Sequence, residues 1–281
     1  SDECVRSVSL TANNSTMVNW ALLRDVKASR IRCVGKHDHE TVVANMNKNK
    51  SHLKFLDEYS LRNGSTKLTK LSCELTTTDR TCVLLSCSPN LRSLELKLQK
   101  FDESTLRDVT LPALQKLTIV ITRPCRAPNK FYQFANMLYA VQDLRLHGVH
   151  FQMNSDVWIH LGRNCHALQT LYTNNISIPD DAVREFTRLC PQITNLTMIS
   201  NKTSTDAAVL SIVQNLPSLR SLTLTHHCRT LTRQSLVHIE QYAAQHLTEL
   251  TLGGFETDDL EILWGKFPHL RQSTSWTEGF I

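Results

Sequence analysis

The segment Leu219-Arg220-Ser221-Leu222-Thr223-Leu224 decides how this chain is read. Apolar residues stand at its first, fourth and sixth positions, and the residues between them vary from copy to copy. The same phrase occurs at Leu91–Leu96, Leu114–Ile119, Val141–Leu146, Ile193–Met198 and Leu247–Leu252, with Leu168–Thr173 as a weaker copy. The opening residues are separated by 23, 27, 27, 25, 26 and 28 positions, so the spacing is a period. Alternation of apolar and polar residues in the second half of each phrase predicts a strand whose side chains point to two opposite faces.

Each unit has a helical second half. In Ile178 to Ile193, the residues Ala182, Val183, Phe186 and Leu189 recur at helical intervals and form one apolar stripe. Asp180 and Asp181 stand at its start, where carboxylates can accept from free backbone N–H groups. The pattern returns from Thr205 to Val213, in Leu236, Ile239, Tyr242 and Ala243, and from Thr257 to Trp264. Pro89, Pro112, Pro191, Pro217 and Pro268 each stand two residues before an apolar opener, where proline ends the helix in a constant register. Neither half buries its own apolar face, so units must stack. A strand–helix unit of this period is a leucine-rich repeat. The expected fold is α/β: a leucine-rich-repeat solenoid, or horseshoe, with an inner parallel β-sheet and outer helices.

Helix ends of the form Cys-Pro-x-apolar or Pro-x-Leu, followed by the phrase and preceded by an Asp/Thr-rich helix start, make the chain resemble the cysteine-containing class of leucine-rich repeats. That class is typical of F-box/LRR proteins, the substrate receptors of cullin-type ubiquitin ligases. The resemblance covers about residues 68–270. Two departures stand beside it. The Asn or Cys of that class is replaced by Gln99, Thr122, Val149, Ile176, His227 and Phe255, with Asn201 conforming; and the first 60 residues carry no F-box helical module. The expected organisation is divergent repeats and a cap over 1–67, repeats over 68–270, and a C-terminal cap over 271–281 that uses Trp276, Phe280 and Ile281. Val5–Leu10, Leu53–Leu56 and Leu68–Leu71 read as divergent copies, and Val18–Leu23 as strand or helix.

The formal net charge is only +5, and runs such as Lys27–Arg32 hold three cations each, which disfavours nucleic acid as partner. No window reaches the ~18 apolar residues of a membrane span, and the start does not read as a signal peptide. Nine unclustered cysteines argue for free thiols in a reducing compartment, with Cys165 and Cys190 buried where helix turns into strand. This favours an intracellular location, cytoplasm or nucleus. Seven sequons, beginning at Asn13, Asn14, Asn49, Asn63, Asn175, Asn195 and Asn201, keep an extracellular location as the alternative.

The outward strand positions form three columns. They run Ser93, Lys116, Asp143, Thr170, Asn195, Ser221, Glu249; then Glu95, Thr118, Arg145, Tyr172, Thr197, Thr223, Thr251; then Lys97, Val120, His147, Asn174, Ile199, Thr225, Gly253. This mixed hydrogen-bonding surface suits a protein or peptide on the concave face. The candidate contacts are Glu95, Lys97, Lys116, Asp143, Arg145, His147, Tyr172 and Asn195, with Arg145, His147 and Tyr172 as anchors. His37-Asp38-His39-Glu40 and His226-His227-Cys228 lack the second ligand pair of a zinc site. No nucleotide, hydrolase or metalloprotease motif occurs, so neither catalysis, cofactor nor metal is expected. The function expected is a protein-recognition module, monomeric by itself. The resemblance implies an adaptor or substrate-recognition role in a ubiquitin-ligase-type complex. A secreted or cell-surface recognition protein is the alternative.

Overall fold

The computed structural model describes residues 8–11, 30–34, 70–75, 85, 90–98, 109–121, 132, 134, 137–199, 203–225, 231–253, 255, 266–267 and 272–276. They belong to two compact units, Ser1–Arg123 and Pro124–Ile281. In the first, strands β1 (Val8–Thr11), β2 (Arg30–Val34), β3 (Lys70–Leu75), β4 (Ser93–Leu98) and β5 (Lys116–Ile121) lie in chain order, each parallel to the next. The second unit repeats this with β6 (Asp143–Gln152), β7 (Thr170–Ser177), β8 (Asn195–Ile199), β9 (Ser221–Thr225), β10 (Glu249–Gly253) and β11 (Gln272–Trp276). Helices α1 (Ser155–Asn164), α2 (Asp180–Leu189), α3 (Asp206–Asn215) and α4 (Arg233–Ala243) connect consecutive strands from β6 to β10. The readings at Val18–Leu23, Leu53–Leu56, Thr257–Trp264, Phe280 and Ile281 lie outside the described residues. Trp276 is the last residue of β11, in register with Gly253.

The phrase positions build the core. Leu91, Leu94, Leu96, Leu219, Leu222 and Leu224 are each at most 2% exposed. Trp158, Val183, Phe186 and Thr187 on the helices share an interior with Leu171, Ile193, Leu196 and Met198 on the sheet side. Truncating such a leucine to alanine costs about 2–5 kcal/mol, so each unit is held by its neighbours' side chains as much as by its own.

Polar contacts set the register. The backbone N–H groups of Gln169 and Thr170 both donate to the Gln142 carbonyl, at 2.9 and 2.8 Å. Thr194 and Asn195 do the same to Gln169, Arg220 and Ser221 to Thr194, and Thr248 and Glu249 to Arg220. In the first unit, Gln115 and Lys116 donate to Arg92. The acceptor is always the residue after the opener, so this contact fixes each strand against the preceding one.

The helix-start carboxylates do something the sequence does not announce. Asp180 leaves its own helix uncapped: the N-cap is Pro179, which makes no side-chain cap. Instead Asp180 accepts from the Thr205 backbone N–H (2.8 Å) and hydroxyl (2.5 Å), and Thr205 is the N-cap of α3. Asp206 repeats this one unit on, accepting from the Thr232 N–H (2.8 Å), the Thr232 hydroxyl (2.5 Å) and the Ser235 hydroxyl. Thr205 and Thr232 then cap their own helices through Ala207 and Gln234. Each Asp–Thr pair is therefore a rung between units.

Two stripe residues differ from expectation. Thr187 is buried in α2 because its hydroxyl donates to the Val183 carbonyl at 2.8 Å, while Leu189 is half-buried. Leu189 covers Gly162 of α1, where a Cβ would come within 3.1 Å of the leucine's Cδ1, so glycine lets the two helices approach. Tyr242 is 38% exposed, and the small Ala243 and Ala244 take the buried places at the end of α4. Cys165 and Cys190 are buried free thiols, as their position before the strand implies. The Cys190 thiol donates to the Gly162 carbonyl at 3.6 Å.

The weaker phrase places Thr173 where other copies carry Leu, Ile or Met. It is fully buried, and its hydroxyl has no hydrogen-bond partner among the described residues. Thr173→Val keeps the shape and removes the desolvated hydroxyl, so it is expected to stabilise the protein by about 1 kcal/mol, read by urea denaturation.

Burial alone would raise the Asp206 carboxyl; hydrogen bonds from Ser235 and Thr232 outweigh it and hold the group below its ordinary value. Stability from this rung is thus present above the unfolded-state pKa and lost as pH falls through the folded-state pKa. Asp206→Ala should lower stability at pH 7 by about 1–2 kcal/mol. The gap to the parent should narrow as pH drops below 4 in thermal melts.

Candidate functional site: the outward sheet face

Strand pairing aligns the polar positions into columns. In the second unit, Asp143, Thr170, Asn195, Ser221 and Glu249 stand in one register line. Arg145, Tyr172, Thr197, Thr223 and Thr251 form the next line, and His147, Asn174, Ile199, Thr225 and Gly253 the third. In the first unit Lys70, Ser93 and Lys116 share a line, as do Ser72, Glu95 and Thr118, and Glu74, Lys97 and Val120. From β4 to β10 these residues alternate with buried phrase positions.

The candidate residues fall into separate groups. Glu95 and Lys97 on β4 and Lys116 on β5 belong to the first unit and are half-buried. Asp143, Arg145, His147 and Tyr172 come together in the second. Arg145 Nε donates to Asp143 Oδ1 and Oδ2 at 3.0 and 3.2 Å. On the neighbouring strand Tyr172 stands opposite Arg145, and its ring centroid lies 4.9 Å from that of His147 at 36°. This diagonal contact spans two columns, which aromatic side chains on adjacent strands can reach. Asn195 stands apart and exposed on β8, its Oδ1 accepting from the Thr194 hydroxyl at 2.7 Å.

β6 and β7 extend beyond the phrase. After His147 pairs with Asn174 the register shifts, and pairing resumes at Phe151 with Ile176. Residues 148–150 of β6 thus stand against Asn175 alone on β7, and Asn175 has φ 56°, a left-handed conformation that asparagine tolerates better than most residues.

A second aromatic group was not foreseen. Tyr139, 71% exposed, meets His166 edge-on at 5.6 Å, and Tyr132 meets His160 at 4.8 Å. Tyr139 and His166 stand two residues before their openers, where other units carry Pro191 and Pro217. That substitution within a repeat position was the available signal.

The buried thiols are poor nucleophiles. Burial pushes Cys190 up to about 12, and burial followed by the neighbouring Cys190 raises Cys165 well above its ordinary value. Among the described residues, no group of three or more His, Cys, Asp or Glu side chains could hold a metal ion. The two His-rich stretches at 37–40 and 226–228 lie outside those residues. No described helix is long and apolar enough to cross a membrane.

Comparison with solved structures agrees with this architecture. The chain is similar to an internalin (inlF) of Listeria monocytogenes, at 19% identity and TM-score 0.55, covering 94% of this chain and 71% of that one. It is similar to internalin C2 of the same organism at 17% identity and TM-score 0.51, covering 79% and 84%. It also matches a chain of the Drosophila Toll–Spatzle complex at 14% identity and TM-score 0.55, covering 97% of this chain and 33% of that one. The fold is a leucine-rich-repeat solenoid. No protein-family model and no curated protein matches the chain.

The Arg145–Asp143 pair is solvent-facing, with side chains 41% and 22% exposed, and such pairs contribute little to stability. Arg145→Ala should therefore change the unfolding free energy by less than about 1 kcal/mol in urea denaturation.

Proposed function

We propose that this chain is a non-catalytic recognition module that binds a protein partner on the outward face of its sheet. The observation that carries this is the register itself. It spends the repeating residues on the core and gathers non-repeating ones, among them Arg145, His147 and Tyr172, on one face. Arg and Tyr are enriched among residues that dominate binding energy. Within this reading, the buried, protonated thiols of Cys165 and Cys190 favour an intracellular adaptor of the F-box/LRR kind that holds a substrate for a ubiquitin ligase.

A second reading rests on a different observation. Asn175 and Asn195 both open sequons and are exposed, as glycosylation in a secreted recognition protein requires. The two readings exclude each other at Asn195, because a glycan there would cover the column that also holds Asp143.

Two measurements test these readings. Arg145→Glu combined with Tyr172→Ala should abolish capture of partners bound by the parent from its source tissue, with an unchanged melting temperature. Undiminished capture would move the site away from this face. Thiol titration and intact mass of the natural protein should show free cysteines and no glycan; paired cysteines with glycan mass would favour the secreted reading.

A further inference from the structure

We infer that Arg145 is a carboxylate-binding fork, and that the partner presents an Asp or Glu side chain to it from an extended peptide segment. This deepens the sheet-face reading above and rests on it. Arg145 reaches Asp143 through Nε alone, at 3.0 and 3.2 Å from the two carboxylate oxygens. The guanidinium is thus held by its inner edge, and among the described residues no acceptor meets Nη1 or Nη2. The side chain is 41% exposed. The outer edge of a guanidinium carries two parallel N–H donors whose spacing matches the two oxygens of a carboxylate. Asp143 therefore presents the donors without consuming them.

The surroundings select among anions. Asp143 places a negative charge beside the fork, which offsets part of the Arg145 charge and disfavours a dianion or a polyanion more than a single carboxylate. Across from Arg145, Tyr172 with His147 against it supplies an aromatic surface, where an apolar or aromatic residue next to the acid can rest. Further along the same column, Thr197 and Thr223 offer hydroxyls to a peptide crossing the strands. The ligand class this describes is an acidic residue flanked by an aromatic or aliphatic one, continuing into polar positions.

The test uses the full chain, immobilised, against a displayed library of random dodecapeptides. Selected peptides should share one Asp or Glu next to an aromatic or aliphatic residue. The synthetic peptide should lose about tenfold or more in affinity when that acid becomes Asn or Gln, and equally on Arg145→Ala. Arg145→Lys should recover only part of the loss, because an ammonium lacks the fork. Amidated and free-carboxyl forms of the peptide separate a side-chain acid from a terminal one. A conserved acid that proves to be the peptide's C-terminus, a phosphoserine version that binds more tightly, or no selected peptide at all would overturn the proposal. Selected peptides that ignore Arg145→Ala yet are lost on Thr197→Arg would sink the fork while leaving the sheet face as the site. Peptides insensitive to both substitutions would remove the sheet-face reading as well. Each variant's melting temperature is compared with the parent's, so that unfolding is not read as lost affinity.

Discussion

Every other feature depends on a backbone contact between units. Two consecutive N–H groups of one unit converge on the carbonyl that follows the opener of the unit before. The acceptor's own side chain takes no part, so the contact tolerates Arg92, Gln142, Gln169, Thr194 and Arg220 at that position, and the Thr194 and Thr248 hydroxyls add a donor at two of these carbonyls. Because it fixes strand register, it also fixes which side chains are buried and which are displayed; a slip of one residue would exchange the two sets. The recognition surface is in this sense a by-product of a backbone constraint. Its residues vary because the constraint does not consult them.

Much of the fold was legible because the phrase repeats. The core leucines and the three columns follow from period and alternation alone, and within each of the two compact units strand pairing aligns the column residues. What escaped was whatever one unit does for the next. Asp180 and Asp206 read as caps of their own helices because a linear sequence shows only local neighbours; their partners, Thr205 and Thr232, lie a full repeat away. β2 carries a faint signal because its phrase opens on Ala28 and ends on Cys33, small residues with little apolar weight. β11 was read as a cap because Ser273 and Ser275 stand where other phrases have leucine.

The surface was legible by position and less so by grouping. Register arithmetic puts Asp143, Arg145 and His147 on one strand and Tyr172 beside them. It does not say that Arg145 turns to Asp143, or that His147 crosses a column to reach Tyr172. Those choices depend on rotamers, on the shift after His147 and on the left-handed Asn175 opposite it. The exposed Tyr139 was hard to read because a single aromatic in the turn before a strand, where other units carry proline, has no periodic signal.

The Asp–Thr rung also bears on how such an array can lengthen. The donor Thr and the acceptor Asp are adjacent in sequence, as in Thr205-Asp206, yet they serve opposite neighbours: the threonine faces back to Asp180 and the aspartate forward to Thr232. A duplicated unit therefore arrives with one half of a rung for each side and leaves no polar group stranded at either junction. At Thr232-Arg233 an arginine stands in the place of the acid, and Thr232 still closes the rung that Asp206 offers. From Asp180 to Thr232 growth by copying whole units is chemically open, and the array carries a direction written in two adjacent residues.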